Sequence, residues 1–211
     1  MPDPIVIVGC GGHGREIFGI ISAINEADRG RWNFLGFVDV APQEANLRRL
    51  ERLGTTLIGP PAELARLEAH YVIGIGDPRV RARVAAELEP FGKPAAELIH
   101  PTATIGLDNR LGAGVVVFAG ARITTGVTLG SHTHVNQNAT VGHDSILADY
   151  VQVNPLAAVS GSCRIGEAAL IGTTAAVLQG LTIGAHATVA AGACVTRDVQ
   201  SGAVVKGVPA R

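Results

Sequence analysis

The chain has 211 residues, 47% hydrophobic but only 4% aromatic, with a formal net charge of −1. That length holds one large or two small domains with a proper core, and the near-neutral balance argues against general binding of nucleic acid or anionic membrane. Cys10, Cys163 and Cys194 lack CxxC spacing and read as small buried hydrophobes in a reducing compartment.

Residues 5–8, Ile-Val-Ile-Val, read as a buried strand; the run is too short for a signal peptide or membrane span, so a soluble cytoplasmic chain is expected. Residues 12–26 read as a helix with Ile17, Phe18, Ile20, Ile21 and Ile24 on its apolar side. A strand at 34–38 ends at Asp39, followed by a polar helix at 44–53, a strand at 56–58, a helix near 62–68 and a strand at 71–75. Asp77 as cap and Pro78 at the first helical position open a helix running to about Leu88. This alternation implies a small parallel α/β domain over residues 1–94, with a hinge at 91–94 and a second domain at 95–211.

Between the first strand and helix, Gly9-Cys10-Gly11-Gly12-His13-Gly14 satisfies G-x-G-x-x-G. Glycines there let backbone approach an anion, and the helix start offers free N–H groups to it. A phosphate or nucleotide is expected, with His13 placed to bond a phosphate or sugar hydroxyl; a ligand-free tight turn is the other reading. So short a first domain lacks the strands of a full dinucleotide fold, so a nucleotide-sugar fits better than NAD.

From Ile99 to Val195 every sixth residue is Ile, Leu or Val, and the residue two before each is mostly small, such as Ala121, Ala139, Ala157 and Ala175. One large and one small inward residue per repeat, with a turn between, describes a parallel β-helix. No insertion interrupts residues 99–200. His132 and His186, 54 residues apart, read as a shared solvent-facing column, and His134 as outward too. His143 has different company: Gly142 before it, Asp144 beside it, Asn136 seven residues back and Gly161 eighteen residues on. A base, an acidic orienter and a backbone donor on neighbouring coils can perform acyl transfer; an exposed turn histidine is the plainer reading. His100, in Ile-His-Pro, reads as a cap that bonds backbone.

Taken in order, several segments resemble one family, the hexapeptide-repeat sugar acyltransferases with an N-terminal nucleotide-sugar-binding domain (bacillosamine, perosamine and sialic-acid types). These segments are Ile7 to Gly14, Gly36-Phe37-Val38-Asp39, Ile73-Gly74-Ile75-Gly76-Asp77, Ile99-His100-Pro101-Thr102-Ala103, Asn136 through Asp144 and Gly207-Val208-Pro209-Ala210. The resemblance implies three sides of six residues, hence 18 per turn, and left-handed winding against the ordinary crossover rule. It also implies a homotrimer with acetyl-CoA bound between neighbouring coils and no metal. Under it His143 is the general base, Asp144 its support, and Asn136 an acceptor contact, while Gly161 aims its N–H at the thioester carbonyl. Gly9, Gly11, Gly12, His13, Gly14 and Asp39 match the nucleotide-sugar side. Gln152 stands where some relatives have a second histidine, and Val40 where many have a second acidic residue. Arg197 and Lys206, with Gly207, are the local candidates for the CoA phosphates.

The expected reaction is acetyl transfer from acetyl-CoA to a nucleotide-linked amino sugar, in a polysaccharide or glycan-modification route. O-acetylation of a sugar hydroxyl is the nearest rival. A binding-only scaffold would need neither the base–orienter pair nor the glycine loop, and an NAD-linked oxidoreductase is opposed by the short first domain.

Overall fold

The computed structural model describes residues 1–28 and 30–211. They form two compact units, Met1–Leu98 and Ile99–Arg211. The division falls later than residue 94 because Ala95 bridges to Tyr71 and the Ala96 N–H donates to the Tyr71 carbonyl at 2.7 Å, which ties this stretch to the first unit.

The first unit is a four-stranded parallel sheet whose strands lie in the order Leu57–Gly59, Trp32–Val38, Asp3–Val8, His70–Ile73. Strand β1 (Asp3–Val8) lies at its centre, and Ile5, Val6 and Ile7 are fully buried, as a strand covered on both faces requires. Helix α1 (Gly12–Ala27) buries Ile17, Ile20 and Ile21, whose spacing puts them on one face. Then come β2 (Trp32–Val38), α2 (Glu44–Arg52), β3 (Leu57–Gly59), β4 (His70–Ile73) and α3 (Pro78–Leu88). Asp77 caps α3 by accepting from the N–H groups of Arg79 and Val80 at 2.9 and 3.0 Å. The helix expected near 62–68 is instead a 3₁₀ turn, Pro61–Arg66. It begins in a Pro-Pro pair and is too short for two α-turns.

The second unit is a coil of two-residue parallel strands stacked in three sheets. Strand partners stand 18 residues apart, as in Thr128↔Ile146, His134↔Gln152 and Thr140↔Ala158. Every aliphatic of the six-residue series is the second residue of its strand, and from Val117 onward all are buried in one cluster with the mostly small residues two before them. At each corner one residue takes the left-handed conformation, from Asp108 (φ 56°) through Asp144 (58°) and Leu156 (62°) to Gly192 (68°). No insertion occurs, but the last turn is two residues short, pairing Ile183 with Val199 and Thr188 with Val204.

Two histidines do not face water. His132 is 6% exposed because its ring stacks parallel on Tyr150, 5.6 Å away and one turn on. His134 is fully buried, with the Phe118 ring 6.4 Å from its own. His186 is exposed as expected. His100 Nδ1 accepts from the Thr102 N–H at 3.1 Å, and burial lowers its pKa from the ordinary 6.5. Its neutral form is therefore the stabilising one. That contribution is complete above pH 6.5 and is lost as pH falls through the lower folded value. Thermal melts at pH 7.5 and pH 5 check this: the stability gap between wild type and His100→Gln should shrink at the lower pH.

Among the described residues no helix is long and apolar enough to cross a membrane.

Candidate active site

The carboxyl ends of the first unit's strands open on a cavity of about 700 Å³. Gly9, Gly11, Gly12, His13 and Asp39 line it, so the structure brings together five of the six residues that the glycine motif and second strand nominated. Each glycine has its own reason. Gly9 has φ +103°. Gly14 lies outside the lining: a Cβ there would run into the Gly9 carbonyl, and Gly74 passes so close that its own Cβ would stand 2.6 Å from the Gly14 Cα. Gly11 differs, since a Cβ on it would meet no protein atom within 4 Å. The fold does not demand glycine at 11, and the space a side chain would fill is the cavity.

Asp39 accepts from the N–H groups of Cys10 and Ala41, each at 2.9 Å. Burial pushes its carboxyl upward, but these backbone bonds outweigh that and hold it below the usual range. Burial and the same carboxylate push the Cys10 thiol up to about 12. Cys10 is fully buried, so it should resist alkylation at pH 8 while half-buried Cys194 reacts first. Peptide mass mapping after brief iodoacetamide treatment checks this.

The sequence reading missed the opposite wall. Val80, Arg83, Val84 and Glu87 of α3 reach the cavity, with Pro61 and Val40 beside them. Helical spacing at 80, 83, 84 and 87 could have shown that they share a face. Beneath the wall lies Arg81, fully buried; its Nη1 donates to the carbonyls of Ile75 at 2.7 Å and Gly76 at 3.3 Å.

In the coil, His143 follows the strand Thr140–Val141 at a corner. Its Nδ1 lies 2.8 Å from Asp144 Oδ2. A carboxylate only accepts, so Nδ1 carries the proton and Nε2 keeps its lone pair. Asp144 has φ 58° and donates its N–H to the Thr125 carbonyl, which fixes the carboxylate on the preceding turn. One turn on, a Cβ at Gly161 would fall 2.5 Å from His143 Nε2. Only glycine therefore lets the imidazole lie flat on that corner. Among the described residues the Gly161 N–H donates to no atom, and its carbonyl accepts from the Gly180 N–H.

The other nominated residues divide between two corners. Arg197 follows Cys194–Val195, in the same sheet as the strand before His143, so His143, Gly161 and Arg197 share one column. Asn136, Lys206 and Gly207 follow strands of a different sheet and lie at another corner. Asn136 is buried and donates to the Val153 carbonyl at 2.8 Å. Gln152 is buried too, and its amide donates to Asn154 Oδ1 at 3.2 Å. Among the described residues no His, Cys, Asp and Glu side chains gather as a metal-binding group.

Comparison with known proteins gives this arrangement relatives. Residues 4–88 match the PglD N-terminal domain. Perosamine N-acetyltransferase from Caulobacter crescentus, solved with CoA and GDP-perosamine, is 30% identical with a TM-score of 0.86, over 99% of this chain and 95% of that one. The acetyltransferase domain of PglB from Neisseria gonorrhoeae, solved with acetyl coenzyme A, is 31% identical with a TM-score of 0.86, over 100% and 99%. WeeI from Acinetobacter baumannii shares the fold at 24% identity and a TM-score of 0.83, over 98% of each chain. No curated protein sequence matches the chain.

An α/β unit followed by this repeat coil, which is a left-handed parallel β-helix, defines a hexapeptide-repeat acyltransferase. More specifically, the chain belongs to the hexapeptide-repeat sugar acyltransferases that carry a PglD-type N-terminal domain.

Proposed function

We propose that the chain moves the acetyl group of acetyl-CoA to the amine of a nucleotide-linked amino sugar, as a homotrimer with its active sites between neighbouring coils. The observation that carries the chemistry is the His143 imidazole, its tautomer set by Asp144 and its Nε2 lying over Gly161. The first unit's cavity holds the nucleotide end: Gly11 and Gly12 give room for phosphate, with His13 and Asp39 at the rim.

The neutral amine attacks the thioester carbonyl while His143 Nε2 takes its proton. Asp144 stabilises the imidazolium that forms. The Gly161 N–H receives charge developing on the carbonyl oxygen. As the new C–N bond forms the C–S bond breaks, and the imidazolium returns its proton to the CoA thiolate. No group on a metal or covalent enzyme intermediate takes part in these steps.

The division of residues between corners supports the trimer. One copy presents His143, Gly161 and Arg197 on one column, and Asn136, Lys206 and Gly207 on another. A groove between two copies joins the first column of one to the second of the next, as closed cyclic symmetry repeats. Arg197 stands three turns from His143, ~14 Å at the usual strand spacing, which suits the long pantetheine arm of CoA.

The solved relatives support the substrate class, one holding CoA with GDP-perosamine and another acetyl coenzyme A. The test is product chemistry. After incubation with acetyl-CoA and amino-sugar nucleotides, the acetylated product should survive hydroxylamine, as an amide does. An acetyl group released by hydroxylamine is an ester and would replace this reading with O-acetylation.

A further inference from the structure

The most unusual buried group in the molecule is Arg81. It is the fourth residue of α3, is fully buried, and is not among the residues that line the cavity. A buried guanidinium is costly unless its donors are used. Here Nη1 is committed to two consecutive carbonyls, Ile75 at 2.7 Å and Gly76 at 3.3 Å, with Asp77 supplying opposite charge nearby.

The consequence follows from peptide geometry. In a planar trans peptide the carbonyl and the next residue's N–H point opposite ways. With the Ile75 and Gly76 carbonyls drawn toward Arg81, the N–H groups of Gly76 and Asp77 point away from it. Among the described residues those two N–H groups donate to no atom. Ile75 and Gly76 line the cavity, and the His13 ring lies across from Gly76, 3.8 Å from where its Cβ would be. The Gly76 donor therefore belongs to a residue of the cavity lining that faces His13 of the glycine loop, and the Asp77 donor follows it directly in the chain.

We infer that Arg81 is a positioning residue for the acceptor cavity: it orients the Gly76 and Asp77 N–H groups to receive phosphate oxygens of the nucleotide-linked acceptor. The phosphate is then held from two sides, by the start of α1 and by the turn that precedes α3. Successive backbone N–H groups of this kind form an anion-binding concavity without any side-chain charge in contact with the ligand. A lysine cannot reproduce the effect fully, because only guanidinium is planar with donors in a fixed fork.

The inference rests on the nucleotide-sugar reading of the cavity, and the experiment separates the two. The full chain is titrated calorimetrically with UDP, GDP and dTDP. Whichever the wild type binds should bind Arg81→Gln at least about tenfold more weakly, with Arg81→Lys between the two. In turnover assays the acceptor KM should rise in Arg81→Gln while kcat stays within about twofold, the pattern of lost uniform binding. Undiminished nucleotide affinity in a folded Arg81→Gln overturns the inference and leaves the cavity assignment standing. A wild type that binds none of the three overturns the cavity assignment, and the inference with it. Should Arg81→Gln not fold, heteronuclear NMR of the wild type decides. The Gly76 and Asp77 amides are expected to shift on nucleotide addition, and unmoved amides overturn the inference.

Discussion

Replacing His143 with alanine is expected to lower kcat by ~10²–10⁴, the usual worth of a positioned general base. Because the ring is half-exposed at a corner and lies over the backbone of Gly161 rather than inside the coil, the coil should melt as the wild type does. Acetyl-CoA affinity should also hold, since the base acts on the acceptor's proton and not on the thioester in its ground state. Asp144→Asn should cost less: the tautomer loses its fixed partner, but Nε2 can still act in the fraction of molecules with the proton on Nδ1. Steady-state turnover with parallel calorimetric titration of acetyl-CoA measures both. A His143→Ala enzyme with undiminished kcat contradicts the mechanism, whatever its binding.

Gly14→Ala has the largest expected effect on stability. Its Cβ would collide with the Gly9 carbonyl, and neither backbone can retreat because Gly74 presses on the same point. Overpacking against backbone on both sides should cost about 3 kcal/mol, the upper end of the usual range. For a unit near 98 residues that is a fall in Tm of roughly 12–24 °C. All described α-helices lie in Met1–Leu98, so the helical circular-dichroism signal reports this unit alone. Gly11→Ala is the control: nothing lies within 4 Å of its Cβ, so the helical melt should match the wild type while nucleotide-sugar binding falls. A Gly14→Ala chain that melts like the wild type would contradict the close helix–strand packing.

These two glycines, three residues apart in one motif, show what a sequence pattern carries and what it leaves out. The motif located the loop, and the structure separates a glycine the fold needs from one the cavity needs. The coil was more legible still, because a six-residue period is imposed by the backbone itself and reappears in every strand pair. Its corners were less so. Tyr150, Leu156 and Ala168 adopt left-handed backbone that glycine or asparagine would have signalled, at φ 62°, 62° and 50°. The burial of His132 and His134 was hidden because their covering rings, Tyr150 and Phe118, sit at other turns of the coil. Nothing local in the sequence distinguishes Arg81, whose guanidinium faces inward, from Arg79 and Arg83 on the same helix. Asn136, seven residues before His143, falls at the preceding corner, as its spacing implies, and one side of the coil lies between the two.

That separation leaves His143 and the Gly161 N–H on one corner and Asn136, Lys206 and Gly207 on another, which is why the proposed mechanism joins two copies of the chain. The surroundings of His143 are built on one corner by Asp144, Thr125 and Gly161, all fixed by backbone. Asn136 and Gln152, two of the groups expected to contact substrate, are buried and bonded to their neighbours on the sheet that leads to the other corner.

The most direct test of the central claim is thiol release from acetyl-CoA, followed with UDP-, GDP- and dTDP-linked 4-amino sugars and with the corresponding free sugars. The account predicts release with at least one nucleotide-linked amino sugar and none with the free sugars, since binding depends on the first unit's cavity. Release that is absent across the nucleotide-linked panel, or as fast with free sugar, would contradict it.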